Sequence, residues 1–239
     1  YREVNLDNKY FYEVMDQSEE IPTSSQPSID ELLDVFKSIV KSGDNVVGVF
    51  LSSDMSGTYS SAHLAKNMVL EEYPDARIEI IDSRTNCMQM WFQVIEGARA
   101  AKEGKSIEEV VEVVNNVVKS SRFLFVPDTL RYLKKGGRIG GAAALFGTIL
   151  QIRPILTVRD GVTSVFEKVR TKKKAVNAIV DKVLDDIKNY GLGDVIVHHI
   201  NCEEEVRELA KRLEEELNIP IRIQSIGPII GLHVGPGSI

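Results

Sequence analysis

The residues best placed to do chemistry are hydroxyls gathered around a glycine. In LSSDMSGTYSSAHLAKNMV, Leu51 to Val69, the side chains of Ser52, Ser53, Ser56 and Thr58 flank Gly57. A short apolar run from Val46 to Leu51 precedes them, and Ala62, Ala65, Val69 and Leu70 recur at helical spacing after them. A strand, a turn and a helix start in succession aim unpaired N–H groups and the positive end of the helix dipole beyond the strand's carboxyl end, where open α/β sheets bind ligands. The chemistry this suits is anion binding. The same residue types also cap helices, so Ser56 or Thr58 as a plain cap is the competing reading. A nucleophilic Ser56 is a third, although Asp54 and Met55 depart from the G-x-S-x-G elbow. His233, between Gly231 and Gly235, reads either as a ligand-binding group or as a structural histidine.

These groups need a frame, and the periodicity supplies one. Tyr10, Phe11, Val14 and Met15 indicate a short amphipathic helix, followed by a rigid loop, IPTSSQPS, with prolines at 22 and 27. Ser28 and Glu31 form a capping box for a helix whose apolar face is Ile29, Leu32, Leu33, Phe36, Ile39 and Val40. The strand before the hydroxyl loop, a helix over 58–71 and a strand over 78–81 make a βαβ unit. Asp82 and Ser83 then stand beside the loop if the two strands are parallel neighbours.

A helix over 87–102 carries Met88, Met90, Trp91 and Phe92, which either wall an apolar cavity or pack as core. Ser106 and Glu109 cap the next helix, whose valines are expected to face a sheet. A strand near 123–126 precedes a glycine-rich bend, Gly136 to Gly141, that lacks the Lys-Ser/Thr of a P-loop. A hairpin around Gly161, a helix over 171–189, a strand, a helix over 203–217 and a last strand follow, with His233 expected in a closing strand or loop. The predicted fold class is α/β in two domains. Residues 1–120 form a Rossmann-like domain with a parallel sheet, and residues 121–239 an α+β domain with a mixed or antiparallel sheet.

At 239 residues and 43% hydrophobic the chain has ample material for a core, and its net charge of −6 argues against nucleic acid or an anionic membrane as partner. The charge is uneven. Eleven basic residues lie between Arg131 and Lys174 against Asp160 and Glu167 alone, a local balance of about +9 that suits docking onto an acidic partner. Cys87 and Cys202 form no metal or disulfide spacing, which points to a reducing cytoplasm, and no apolar run reaches the roughly 18 residues of a membrane span.

Six motifs in order, TSSQPS, SSDMSGTYSSA, LRYLKKGGRI, the run ending in RPIL, KVRTKKKA and GLHVGPG, resemble those of DegV proteins, the fatty-acid-binding subunits of bacterial fatty acid kinase. The resemblance spans about Pro22 to Gly237. It implies a non-catalytic protein without cofactor that holds one long-chain fatty acid between its domains. The carboxylate would be presented to a separate kinase catalytic subunit, which makes acyl phosphate. By motif position it implies Ser24, Ser56 and His233 as carboxylate ligands and Arg170 as the residue that docks the kinase. Thr23, Ser53, Gly57, Thr58, Asp82, Ser83, Met88 and Trp91 are expected to line the cleft.

The chain departs from the family pattern in three places. Ser24 stands where Thr is common, and Met88, Gln89, Met90 and Trp91 stand where the family tends to Met-Gly-x-Gly, so the acyl pocket is expected to be narrowed or rerouted. An opening strand with an Asp-Ser-x-x-Asp segment and a strand after the final glycines are absent, so the sequence reads as a piece of a longer protein with exposed sheet edges. Two alternatives stand beside the family reading. One is a serine esterase or acyltransferase using Ser56 and His233, and the other is a phosphate-binding module built on the basic segment.

Overall fold

The computed structural model describes residues 2–18, 20–147 and 152–239. Residues 148–151, in the run that ends in RPIL, lie outside the described residues. In chain order the elements are α1 (Asn8–Gln17), α2 (Ile29–Lys41), β1 (Val46–Phe50), α3 (Thr58–Glu72), β2 (Ile78–Asp82), α4 (Cys87–Lys102) and α5 (Ile107–Ser120). They continue with β3 (Leu124–Phe125), α6 (Arg131–Lys135), β4 (Arg153–Arg159), β5 (Val162–Val169), α7 (Lys172–Tyr190), β6 (Ile196–His199), α8 (Glu203–Leu217), β7 (Arg222–Ser225) and α9 (Pro228–Val234). The fold is α/β, with parallel and antiparallel pairing both present. Among the described residues no helix is long and apolar enough to cross a membrane.

The chain divides into two compact units, neither of them continuous in sequence. One comprises Ser25–Phe123 with Val158–Val162, and the other Tyr1–Ser24, Leu124–Thr157 and Thr163–Ile239. A single cut after residue 120 would assign residues 1–24 to the first half, yet they pack with the second. Tyr12 supplies the reason: its ring is buried, and its hydroxyl donates to the Ile226 carbonyl at 2.8 Å.

In the unit built on residues 25–123, β1 and β2 are parallel, with Val46 opposite Ile78 and Phe50 opposite Asp82. Register follows from burial. Phe36, Val46, Ala62, Ala65, Val69 and Ile78 form one core, so the small residues of α3 let that helix lie close to α2 and the strands. The valine helix α5 corrects an expectation. It buries Ile107, Val110 and Val114 mainly against α4 rather than against a sheet, because only the residues on one 3.6-residue stripe turn inward.

In the other unit, β3, β4 and β5 form one sheet, with β3 antiparallel to β4. A second, parallel pair, β6 and β7, is joined through α8. Val180, Val197, Val206, Leu209, Ala210, Leu213 and Ile221 fill the space between that pair and its helices. The end of the chain is tied in by two backbone bonds between Ile239 and Val126, at 2.7 and 3.2 Å.

Both capping boxes read from the sequence are formed, Ser28 with Glu31 and Ser106 with Glu109. Each hydroxyl accepts one of the otherwise unpaired N–H groups of its helix start. Replacing Ser28 by Ala is expected to lower stability by about 1 kcal/mol. Urea unfolding of the two proteins checks this, and an unchanged midpoint would mean that the box contributes nothing.

Candidate functional site

His233 is carried by a helix, not by the strand or loop expected for it. Pro228 opens α9 with its fixed φ, and Gly235 closes it at φ +93°. The glycines that looked like loop residues instead allow close packing. Gly231 lies against the Tyr12 ring and hydroxyl, and Gly136, just after α6, lies against His233 Nδ1 so closely that no Cβ would fit there.

The imidazole is half-buried, and its Nε2 is 3.0 Å from Ser24 Oγ, on the strap that follows α1. Its Nδ1 is buried and has no hydrogen-bond partner among the described residues. Burial and then the nearby Arg138 charge push the His233 pKa below its ordinary 6.5, so the ring is neutral at pH 7. The tautomer follows from which buried group can be left unpaired. With the proton on Nε2, His233 donates to Ser24 Oγ and Nδ1 is only a bare acceptor; the opposite tautomer would strand an N–H donor. Ser24 therefore accepts from His233, and its own proton is free for an anion.

This arrangement does not match a serine hydrolase. Among the described residues no carboxylate orients Nδ1, as a triad requires, and the hydroxyl bonded to His233 belongs to Ser24. Ser56 Oγ pairs instead with Thr58 Oγ1 at 2.9 Å.

The hydroxyl loop after β1 divides its labour. Ser52 is buried and donates to the Gly161 carbonyl at 2.7 Å, while Ser53 donates to Asp82 Oδ2 at 2.6 Å. Arg84 pairs with Asp54 at 2.7 Å and with Asp82 at 3.1 Å, and also donates to the Asp160 carbonyl. Burial works to raise the Asp82 pKa, but hydrogen bonds from the Ser53 hydroxyl and from the Arg84 backbone and guanidinium outweigh it and hold the pKa below the ordinary value. Ser83 is buried and donates to the Thr85 carbonyl. Ser56 and Thr58 remain beside the start of α3.

Ser56 takes up one N–H at the start of α3, although it is not the N-cap residue. Gly57 is the N-cap of α3 and has no side chain to offer; Ser56 Oγ accepts from the Thr58 N–H at 3.3 Å. Thr23 is exposed, and Met88 and Trp91 are half-buried on α4. The buried face of α4 is lined by Gln89, Gln93, Gly97 and Ala100, so the large apolar side chains at 88–92 are not simply core. Arg170 is exposed beside Arg153 and Lys172 in one groove with Asp128 and Phe146. Arg153 is paired with Asp128, and Lys172 with Glu205, whereas Arg170 has no ion-pair partner among the described residues. No group of three or more His, Cys, Asp or Glu residues converges as a metal site among the described residues.

Sequence reasoning missed Arg84, Gln26 and Gly136. Arg84 adopts φ +54°, which nothing in a lone Ser-Arg-Thr run announces. The other two were visible as motif members without a visible reason.

A family model described as an uncharacterised protein of the DegV family matches residues 1–239. The chain belongs to the DegV family. A DegV domain-containing protein of Clostridium acetobutylicum is 55% identical over 239 residues, covering 100% of this chain and 84% of the relative. The crystal structure of DegV, a fatty acid binding protein from Bacillus subtilis, is similar with a TM-score of 0.88 at 34% identity, covering 100% of this chain and 84% of that one. The Streptococcus pneumoniae fatty acid kinase (Fak) B3 protein loaded with linoleic acid is similar at TM-score 0.84 and 28% identity, covering 98% of this chain and 82% of that one.

The electrostatics of this DegV chain can be read directly by NMR titration. The His233 ring is expected to titrate with a midpoint below 6.5, and Arg138→Ala to move it upward. Because the folded-state value is depressed, the stability due to the neutral ring is full above 6.5 and is lost as pH falls through the lowered midpoint. A midpoint above 6.5 would contradict a buried neutral imidazole.

Proposed function

We propose that this DegV chain binds a long-chain fatty acid and presents its carboxylate to a separate kinase subunit, which transfers phosphate to it. The observation that carries this reading is the Ser24–His233 pair, a neutral imidazole donating to a hydroxyl whose own proton is uncommitted. Family motif position adds Ser56, at the start of α3, as a further hydroxyl donor. Hydroxyl donors satisfy some of the four lone-pair sites of a carboxylate without neutralising it as an Arg or Lys pair would. An oxygen left uncommitted stays nucleophilic toward the terminal phosphate of ATP. The chain's own part is binding, orientation and exclusion of water from the acyl tail, with Met88 and Trp91 on α4 offered as tail contacts.

Arg170 is assigned to kinase docking, supported by its exposure in the basic segment and its lack of an ion-pair partner among the described residues. A cytoplasmic setting is part of this proposal. So is the lining role of Thr23, Ser53, Gly57, Thr58, Asp82 and Ser83.

Mass spectrometry of the organic extract of purified protein is expected to find about one fatty acid per chain. An empty extract from folded protein would overturn the reading. Ser24→Ala removes a hydrogen bond to a charged group, worth about 1.5–3 kcal/mol, so fatty acid affinity should fall by roughly ten- to a hundredfold, and His233→Ala, which takes away the donor that orients the Ser24 hydroxyl, should lower it in the same direction. Arg170→Ala should leave the lipid bound and slow phosphorylation, most at low salt. Loss of lipid from Arg170→Ala would exclude the docking role.

A further inference from the structure

The strap at residues 21–27, between α1 and α2, has no regular secondary structure. Among the described residues its side-chain hydrogen bonds are two: Ser24 with His233, and Gln26, whose Nε2 donates to Ser61 Oγ at 2.8 Å. Ser61 is buried in the first turns of α3. The other end of the same amide, Oε1, lies so close to Gly57 that a Cβ at that position would require the Gln26 side chain to shift. Gly57 has φ −68°, a value open to every residue. Conformation therefore does not explain the glycine between Ser56 and Thr58, and contact with Gln26 does.

We propose that Gln26 is a positioning residue for the fatty acid carboxylate. Its amide clamps the Ser56–Gly57–Thr58 turn from outside by resting on Gly57 and bonding Ser61, and so holds the Ser56 hydroxyl at the start of α3. The inference rests on the fatty acid reading and deepens it: one uncharged side chain holds the turn that carries the Ser56 hydroxyl. A Gln serves because its amide offers a donor to Ser61 and a flat oxygen edge to Gly57 together.

The test uses full-length protein stripped of lipid and titrated with oleate and, separately, with oleyl alcohol, which has the same tail and no carboxylate. Gln26→Ala is expected to weaken oleate binding about tenfold and oleyl alcohol binding less than twofold. Gly57→Ala should displace the Gln26 amide and give the same selective loss, and the double variant should be no weaker than either single one. Equal losses for both ligands would mean that Gln26 merely stabilises the fold, and additive losses would mean that the Gly57 contact is not the mechanism. Either result overturns the proposal. Should Gln26→Ala fail to fold, Gly57→Ala carries the same comparison alone. If the unmodified protein does not prefer oleate to oleyl alcohol, the carboxylate reading itself fails, and the role of Gln26 with it.

Discussion

His233 has room for its ring because residue 136 has no side chain. The rest of the candidate carboxylate chemistry in that unit depends on this steric fact. With the imidazole seated against Gly136, Nδ1 is sealed from water and unpaired, and burial together with the Arg138 charge keeps the ring neutral. A neutral ring carries one proton, the lack of an acceptor for Nδ1 among the described residues puts it on Nε2, and that in turn decides that Ser24 accepts rather than donates. A chain of three consequences thus runs from a missing methyl group to the direction of a hydroxyl proton.

The other unit solves a related problem differently. The charges of the loop after β1 and of the end of β2 pair with one another, with Arg84 satisfying Asp54 and Asp82. The ion pairs are exposed to partly exposed and contribute little stability as pairs. Their effect is geometric. They hold the loop after β1 while leaving the two hydroxyls nearest the start of α3 electrically neutral. A protein that must bind a carboxylate and keep it reactive gains from that separation, since a bound guanidinium would draw off the electron density the next step needs.

Much of the fold was legible because it rests on local rules. Phe36, Ala62 and Val69 announced their helices by spacing, and the two Ser-to-Glu capping boxes announced where helices begin. The site was legible in residue type and less so in arrangement. His233 looked like a loop residue because glycines surround it, yet Gly231 serves helix packing against Tyr12, a contact across 219 residues of sequence that no local pattern encodes, and Gly235 lies against the Tyr132 ring. Asp82 and Ser53 looked like ligand groups, and they are bonded to each other, with Arg84, in a left-handed conformation that composition does not reveal, donating to the same Asp82 carboxylate. Four large side chains on α4 invited a choice between core and cavity, and the helix instead buries Gln89 and Gln93.

The discontinuity of the two units bears on how the chain is made. Ser52 waits for the Gly161 carbonyl, 109 residues later, and Tyr12 waits for Ile226, 214 residues later. At roughly 5–20 residues per second, a ribosome leaves the first of these hydroxyls without its partner for about 5–20 seconds. Neither unit can close as a finished body when its first strand or helix emerges: one waits for residues 158–162, and the segment 1–24 waits for Ile226. In the interval the nascent chain carries unfinished cores, a period in which chaperone binding competes directly with folding.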